Sequence, residues 1–154
     1  MPVDVLASFD PRIVFSVKGF EIASDHFPLG SGLGTYAGYV AAIYNSSVYM
    51  DYGFEIYYWY LEDTFMADTF WPHILGESGF FGLIFYCCSL VWIIYRAIKF
   101  FSSDENQLMF ARMTIASISL IIINSLASPD MTSVMSLAQC LIPISCLYFL
   151  EKGH

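Results

Sequence analysis

The chain has 154 residues, of which 57% are hydrophobic, 18% aromatic and only 13% charged, with a formal net charge of −8. A water-soluble globular surface does not tolerate that balance, and the acidic excess sets nucleic-acid binding aside. What remains is an all-α, polytopic membrane protein with a lipid bilayer as its first partner.

Residues 1–70 are expected to form a partly helical segment outside the bilayer. Up to Trp71 they carry nine acids, among them Asp4, Asp10, Glu62, Asp63 and Asp68, against only Arg12 and Lys18. An anionic ligand here must therefore be caught locally, by Arg12, by Lys18 or by helix N-termini. Asp10-Pro11 is a helix start, and Ile13, Val14, Val17, Phe20 and Ile22 supply an apolar stripe that runs to Ser24.

Next comes Phe27-Pro28-Leu29-Gly30-Ser31-Gly32-Leu33-Gly34, a glycine turn opening into a helix expected over Thr35 to Tyr44. Amides at Gly30, Gly32 and Gly34 are a possible phosphate cradle, or the turn lets backbone pack closely on the membrane helices. Between Tyr36 and Tyr60 there are eight tyrosines and Trp59. That density fits an interfacial belt at the lipid headgroups, or a surface on which sugar rings stack.

Three uncharged apolar runs follow, and each approaches the roughly 20 residues that cross the hydrocarbon core. The expected spans are residues 71–101, 102–128 and 129–150, with 151–154 as a tail. Asp68 can cap the first, with Pro72 in its first turn. Ser102 with Glu105 makes a capping box for the second, and Ser128-Pro129 starts the third, which Pro143 should kink. Arg96, Lys99 and Arg112 flank the first connection and Lys152 follows the third run, so these ends are cytoplasmic by the positive-inside rule. Residues 1–70 then face the periplasm or exterior. Cys87, Cys88, Cys140 and Cys146 all lie in apolar runs and read as small hydrophobes, so neither a metal nor another cofactor is expected.

The order Arg12, then the turn from Phe27 to Gly34, then Asp68-Thr69-Phe70-Trp71-Pro72-His73-Ile74-Leu75-Gly76-Glu77-Ser78-Gly79-Phe80-Phe81-Gly82 resembles the O-antigen ligase and polysaccharide polymerase superfamily. In that family an arginine-bearing outer loop passes a P-L-x-G-x-G-x-G turn and closes on a helix with E-x-G-x-x-G, met here as Glu77, Gly79 and Gly82. The resemblance covers roughly residues 8–100. It implies an inverting, metal-independent glycosyltransferase of the bacterial inner membrane that uses polyprenyl-diphosphate-linked glycans to build surface polysaccharide. It also implies that Arg12, and by proximity Lys18, hold the diphosphate. Ligases place a histidine nine residues before the glutamate, where this chain has Asp68, and that departure leans toward a repeat-unit polymerase over a ligase.

An inverting transfer needs a base for the acceptor hydroxyl and donors for the departing diphosphate. Asp68, His73 and Glu77 are the expected catalytic groups, although Asp68 also serves as a helix cap and Glu77, one turn from His73, also serves as its partner. His26, beside Asp25 and ahead of the glycine turn, is a candidate to hydrogen-bond a sugar or diphosphate, and equally reads as a surface histidine in an acidic loop. Family members have many more helices than three, so the chain reads as the C-terminal part of such an enzyme, with N-terminal transmembrane helices or other polysaccharide assembly proteins as partners. The competing expectation is a non-enzymatic remnant or accessory membrane subunit.

Overall fold

The computed structural model describes residues 10–44, 46–57, 60, 70–99, 105–126, 128 and 134–152. Their regular structure is all helical, with no strand among the described residues. In chain order the helices are α1 (Pro11–Asp25), α2 (Tyr39–Ile43), α3 (Ser47–Asp51), a 3₁₀ turn (Phe54–Ile56), α4 (Phe70–Lys99), α5 (Glu105–Asn124) and α6 (Val134–Lys152). The chain divides into two compact units, residues 1–84 and 85–154.

In the first unit α1 starts where Asp10-Pro11 predicts. The Asp10 carboxylate accepts the Arg12 amide at 2.9 Å, and proline sits in the first turn, where no amide is needed. Its inner face, with Phe15 and Ile22, packs into a core completed by Tyr36, Tyr49, Phe54, Tyr57 and Tyr60. Phe54 is the hub: its ring lies 5.5 Å from Phe15 and 5.1 Å from Tyr49, the latter edge to face. The tyrosine-rich stretch therefore splits. Tyr36, Tyr49, Tyr57 and Tyr60 are core, Tyr39 and Tyr44 are exposed, and Tyr58 and Trp59 lie outside the described residues.

The helix expected from Thr35 begins only at Tyr39. Residues 35–38 are held out of helix by distant acceptors: the Tyr36 amide donates to Glu77 and the Ala37 amide to the Tyr49 hydroxyl at 3.0 Å. Ala37 accordingly sits at φ 59°, in the left-handed region.

Two helices, α4 and α5, are long and apolar enough to cross a membrane. On α4, Phe85, Val91, Trp92, Tyr95 and Ile98 are exposed along its length, a distribution that suits lipid and not water. Within the second unit, α5 packs on α6. Gln107, Ala111, Thr114, Ile118 and Ile121 form the buried stripe of α5 at helical spacing. A small cavity of about 80 Å³ lies among Trp92, Ala97, Thr114, Ile144 and Tyr148. The third apolar run is the helix α6, which continues through Pro143. The Asp68 cap, Ser102 of the capping box and Pro129 lie outside the described residues.

Candidate functional site

The site is built where the glycine turn meets α4. Within α4, Gly79 has φ 65° and ψ −166°, a conformation open to glycine alone, so the helix is interrupted there. An interruption orphans the carbonyls one turn earlier and the amides one turn later. The turn supplies the missing partners. Ser31 donates its amide to Gly76 O at 2.9 Å and its hydroxyl to the same oxygen at 3.1 Å, while the Gly32 amide reaches Glu77 O at 3.0 Å. In return the Phe81 amide donates to Pro28 O at 3.3 Å.

That exchange requires backbone to touch backbone. A Cβ on Gly30 would stand 2.5 Å from Gly79 N and 2.6 Å from Gly76 O, and one on Gly79 would strike Pro28 O. Both residues also have positive φ, 74° at Gly30 and 65° at Gly79. The amides of Gly30, Gly32 and Gly34 are engaged by His26 O, Glu77 O and the Glu77 carboxylate respectively.

Glu77 lies on the turn of α4 before the break, with its side chain only 7% exposed. Its Oε1 accepts the Tyr36 amide at 3.1 Å, the Gly34 amide also donates to the carboxylate, and Oε2 is 3.2 Å from His73 Nε2. This is how a carboxylate survives in an apolar helix: backbone amides and an imidazole replace its hydration. His73 is more open, at 22%. Donating Nε2–H to Glu77 leaves its lone pair on Nδ1, so the pair is arranged as a base held by a carboxylate.

The cations are placed on α1. Arg12 is exposed in the first turn. Lys18 donates to Glu21 Oε2 at 2.8 Å, so its charge is matched on its own helix. His26 caps the other end of α1 and is exposed. Its Nδ1 lies 3.1 Å from Ile22 O and 3.4 Å from the Tyr52 hydroxyl, which donates to Asp25 at 3.0 Å. Burial, then the bond to Asp25, pushes Tyr52 up to about 12.

Of the residues singled out in sequence, the structure brings together Gly30, Gly32, Gly34, His73 and Glu77. Asp68 lies outside the described residues. Tyr36 and Tyr49 carry parts the sequence did not assign. Tyr36 ties its amide to Glu77 and its hydroxyl to Phe15 O at 2.6 Å, and Tyr49 holds the backbone between them. Nothing in the spacing of eight tyrosines distinguishes these two. Among the described residues no group of three histidines, cysteines or acids is placed to hold a metal ion. Compared with family models, curated proteins and solved structures, the chain matches none.

Proposed function

We propose that this chain is the catalytic-loop part of a bacterial inner-membrane glycosyltransferase that polymerises polyprenyl-diphosphate-linked repeat units into surface polysaccharide. One observation carries it. The glycine turn and the E-x-G-x-x-G segment, 45 to 53 residues apart, are interlocked through reciprocal hydrogen bonds around a helix break, and the lock presents His73 and Glu77 together. The motifs that suggested the superfamily thus act on each other in space.

In this reading residues 1–70 face the periplasm, α6 is a third span, and the lipid-linked donor arrives from the bilayer with its diphosphate against α1. The acceptor hydroxyl attacks the anomeric carbon, its proton passes to His73 Nδ1 or to Asp68, and the bond to the diphosphate breaks with inversion. Glu77 is a positioning residue, since its oxygens are occupied by two amides and the imidazole. With the turn amides engaged internally, the departing charge falls to Arg12, and to Lys18 once it exchanges Glu21 for phosphate. Exposed Tyr39 and Tyr44 offer faces for sugar stacking.

The test is complementation of a polymer-deficient strain by the complete gene product, reading chain length on gels and protein level in membranes. Arg12→Ala and His73→Ala should abolish long polymer at unchanged protein level. Full-length polymer from both variants would overturn the proposal. The filled bonds of Glu77 and Lys18 favour a second reading, a non-enzymatic membrane subunit, which that result would support. A ligase in place of a polymerase would be recognised by intact polymer that fails to reach its lipid acceptor.

A further inference from the structure

α1 is apolar on two opposite faces. Phe15, Gly19, Ile22 and Ala23 point into the core of the first unit. At 100° per residue, positions 13, 16, 17, 20 and 24 fall within roughly 100° of arc on the other side. There Ile13, Val17 and Phe20 are 56%, 60% and 57% exposed. Water is a poor neighbour for such a face, and a helix apolar on both sides ordinarily has two apolar surroundings.

Three further observations identify the second surrounding. The stripe contains no charge, and its two polar members are satisfied within the helix: Ser16 Oγ donates to Arg12 O at 2.7 Å and Ser24 Oγ to Phe20 O at 2.8 Å. This back-bond satisfies the serine hydroxyl without water, so neither serine opposes an apolar neighbour. Of the charges that flank the stripe, Glu21 on one side is paired with Lys18 at 2.8 Å, and Arg12 on the other stands in the first turn. Finally, the stripe is continuous with the apolar surface of α4. The Phe20 ring meets Phe80 edge to face at 5.7 Å, and Phe27 bridges to Phe80 at 6.0 Å and Phe81 at 6.4 Å. Phe80 and Phe81 open the uncharged stretch of α4 after the Gly79 break.

We infer that α1 lies in the bilayer interface, its Ile13, Val17 and Phe20 face immersed in acyl chains beside the start of the α4 span and its opposite face closing the core. Arg12, in the first turn of this helix, then sits at headgroup depth, the level at which the diphosphate of a lipid-linked molecule resides. The inference rests on α4 being a membrane span and is independent of glycosyl transfer.

The experiment uses the full chain in vesicles of phosphatidylcholine and phosphatidylglycerol. With the four native cysteines replaced by alanine, nitroxides are attached at Val17→Cys, Phe20→Cys, Glu55→Cys and Val91→Cys, and collision rates with oxygen and with a water-soluble nickel chelate are compared. The ratio favouring oxygen should be severalfold higher at 17 and 20 than at 55, and lower than at 91, which lies deeper in the span. Lipid contact at 91 with nickel access at 17 and 20 overturns the inference and leaves the span intact. Exclusion of both reagents at 17 and 20 also overturns it, since another helix or a second copy then covers the face. Water access at 91 sinks the span and the inference together. Carbene labelling of the unmodified protein from a bilayer-dissolved diazirine, read by mass spectrometry, repeats the comparison without substitutions. Peptides of α1 should be modified along with those of α4, and modification of α4 alone overturns the inference.

Discussion

A carboxylate in an apolar helix persists only if its donors come with it, and Glu77 shows where they come from. Two backbone amides from a segment 41 to 43 residues upstream and one imidazole from its own helix surround it. Removing the carboxylate leaves the Tyr36 and Gly34 amides without acceptors, and Tyr36 is fully buried. The orphaned, buried Tyr36 donor costs about 1–3 kcal/mol and the half-buried Gly34 donor less, so Glu77→Ala should destabilise the first unit by about 2–3 kcal/mol and lower its thermal midpoint by roughly 10–20 °C in detergent. Glu77→Gln keeps one carbonyl oxygen and should lose about half as much. Thermal melts followed by circular dichroism separate the two; equal midpoints for both variants and the parent would mean that the carboxylate does not clamp the turn. The pairing of His73 with Glu77 was legible in their spacing, because i and i+4 share a helix face. The amides on the carboxylate were not, since no local pattern links residues 34 and 36 to residue 77.

The interruption at Gly79 turns two elements into one. Had α4 been regular there, Gly76 O and Glu77 O would be spent within the helix, and the turn from Phe27 to Gly34 would have nothing to bind. Gly79→Ala asks an L side chain to adopt φ 65° and ψ −166°, which costs about 1–3 kcal/mol before its collision with Pro28 O is counted. The helix should instead regularise and release the turn. Hydrogen exchange checks this directly: the Ser31 and Gly32 amides, protected by Gly76 O and Glu77 O, should lose that protection in Gly79→Ala and equally in Gly30→Ala, while amides in the middle of α5 keep theirs. Unchanged protection at Ser31 would show that the break does not hold the turn. How much of this could be read from sequence varied by element. Asp10-Pro11 announced α1 to the residue because a cap is a local device, satisfied two residues away. The start of α2 was misplaced by four residues because what holds residues 35–38 out of helix is Glu77 and Tyr49, which a window on the sequence does not contain.

At the scale of the whole molecule, hydropathy located the apolar runs because spanning a bilayer is a matter of length and composition, and α4 and α5 satisfy both. It was silent on the first unit, whose core is assembled from aromatic residues that look alike in sequence. That chemistry separates the two units in their response to alkali. Burial raises Tyr36 well above the ordinary phenol range and Tyr49 to about 12, and both belong to the first unit. A phenol whose folded pKa exceeds its unfolded value contributes stability that is fully present below pH 10 and is lost as pH rises through the folded value. Two pH units at Tyr49 alone correspond to about 3 kcal/mol, lost between pH 10 and about 12, and Tyr36 adds to it in the same direction. The first unit should therefore open in this window, with phenolate absorbance rising cooperatively and late, while the helices of the second unit persist in circular dichroism because no tyrosine is buried among its described residues. Tyr49→Phe removes the titrating group but also the acceptor of the Ala37 amide, so it should lower stability at pH 8 and flatten its fall above pH 10. A parent whose tyrosines all titrate together near pH 10 without loss of helix would show that this aromatic core is open to water.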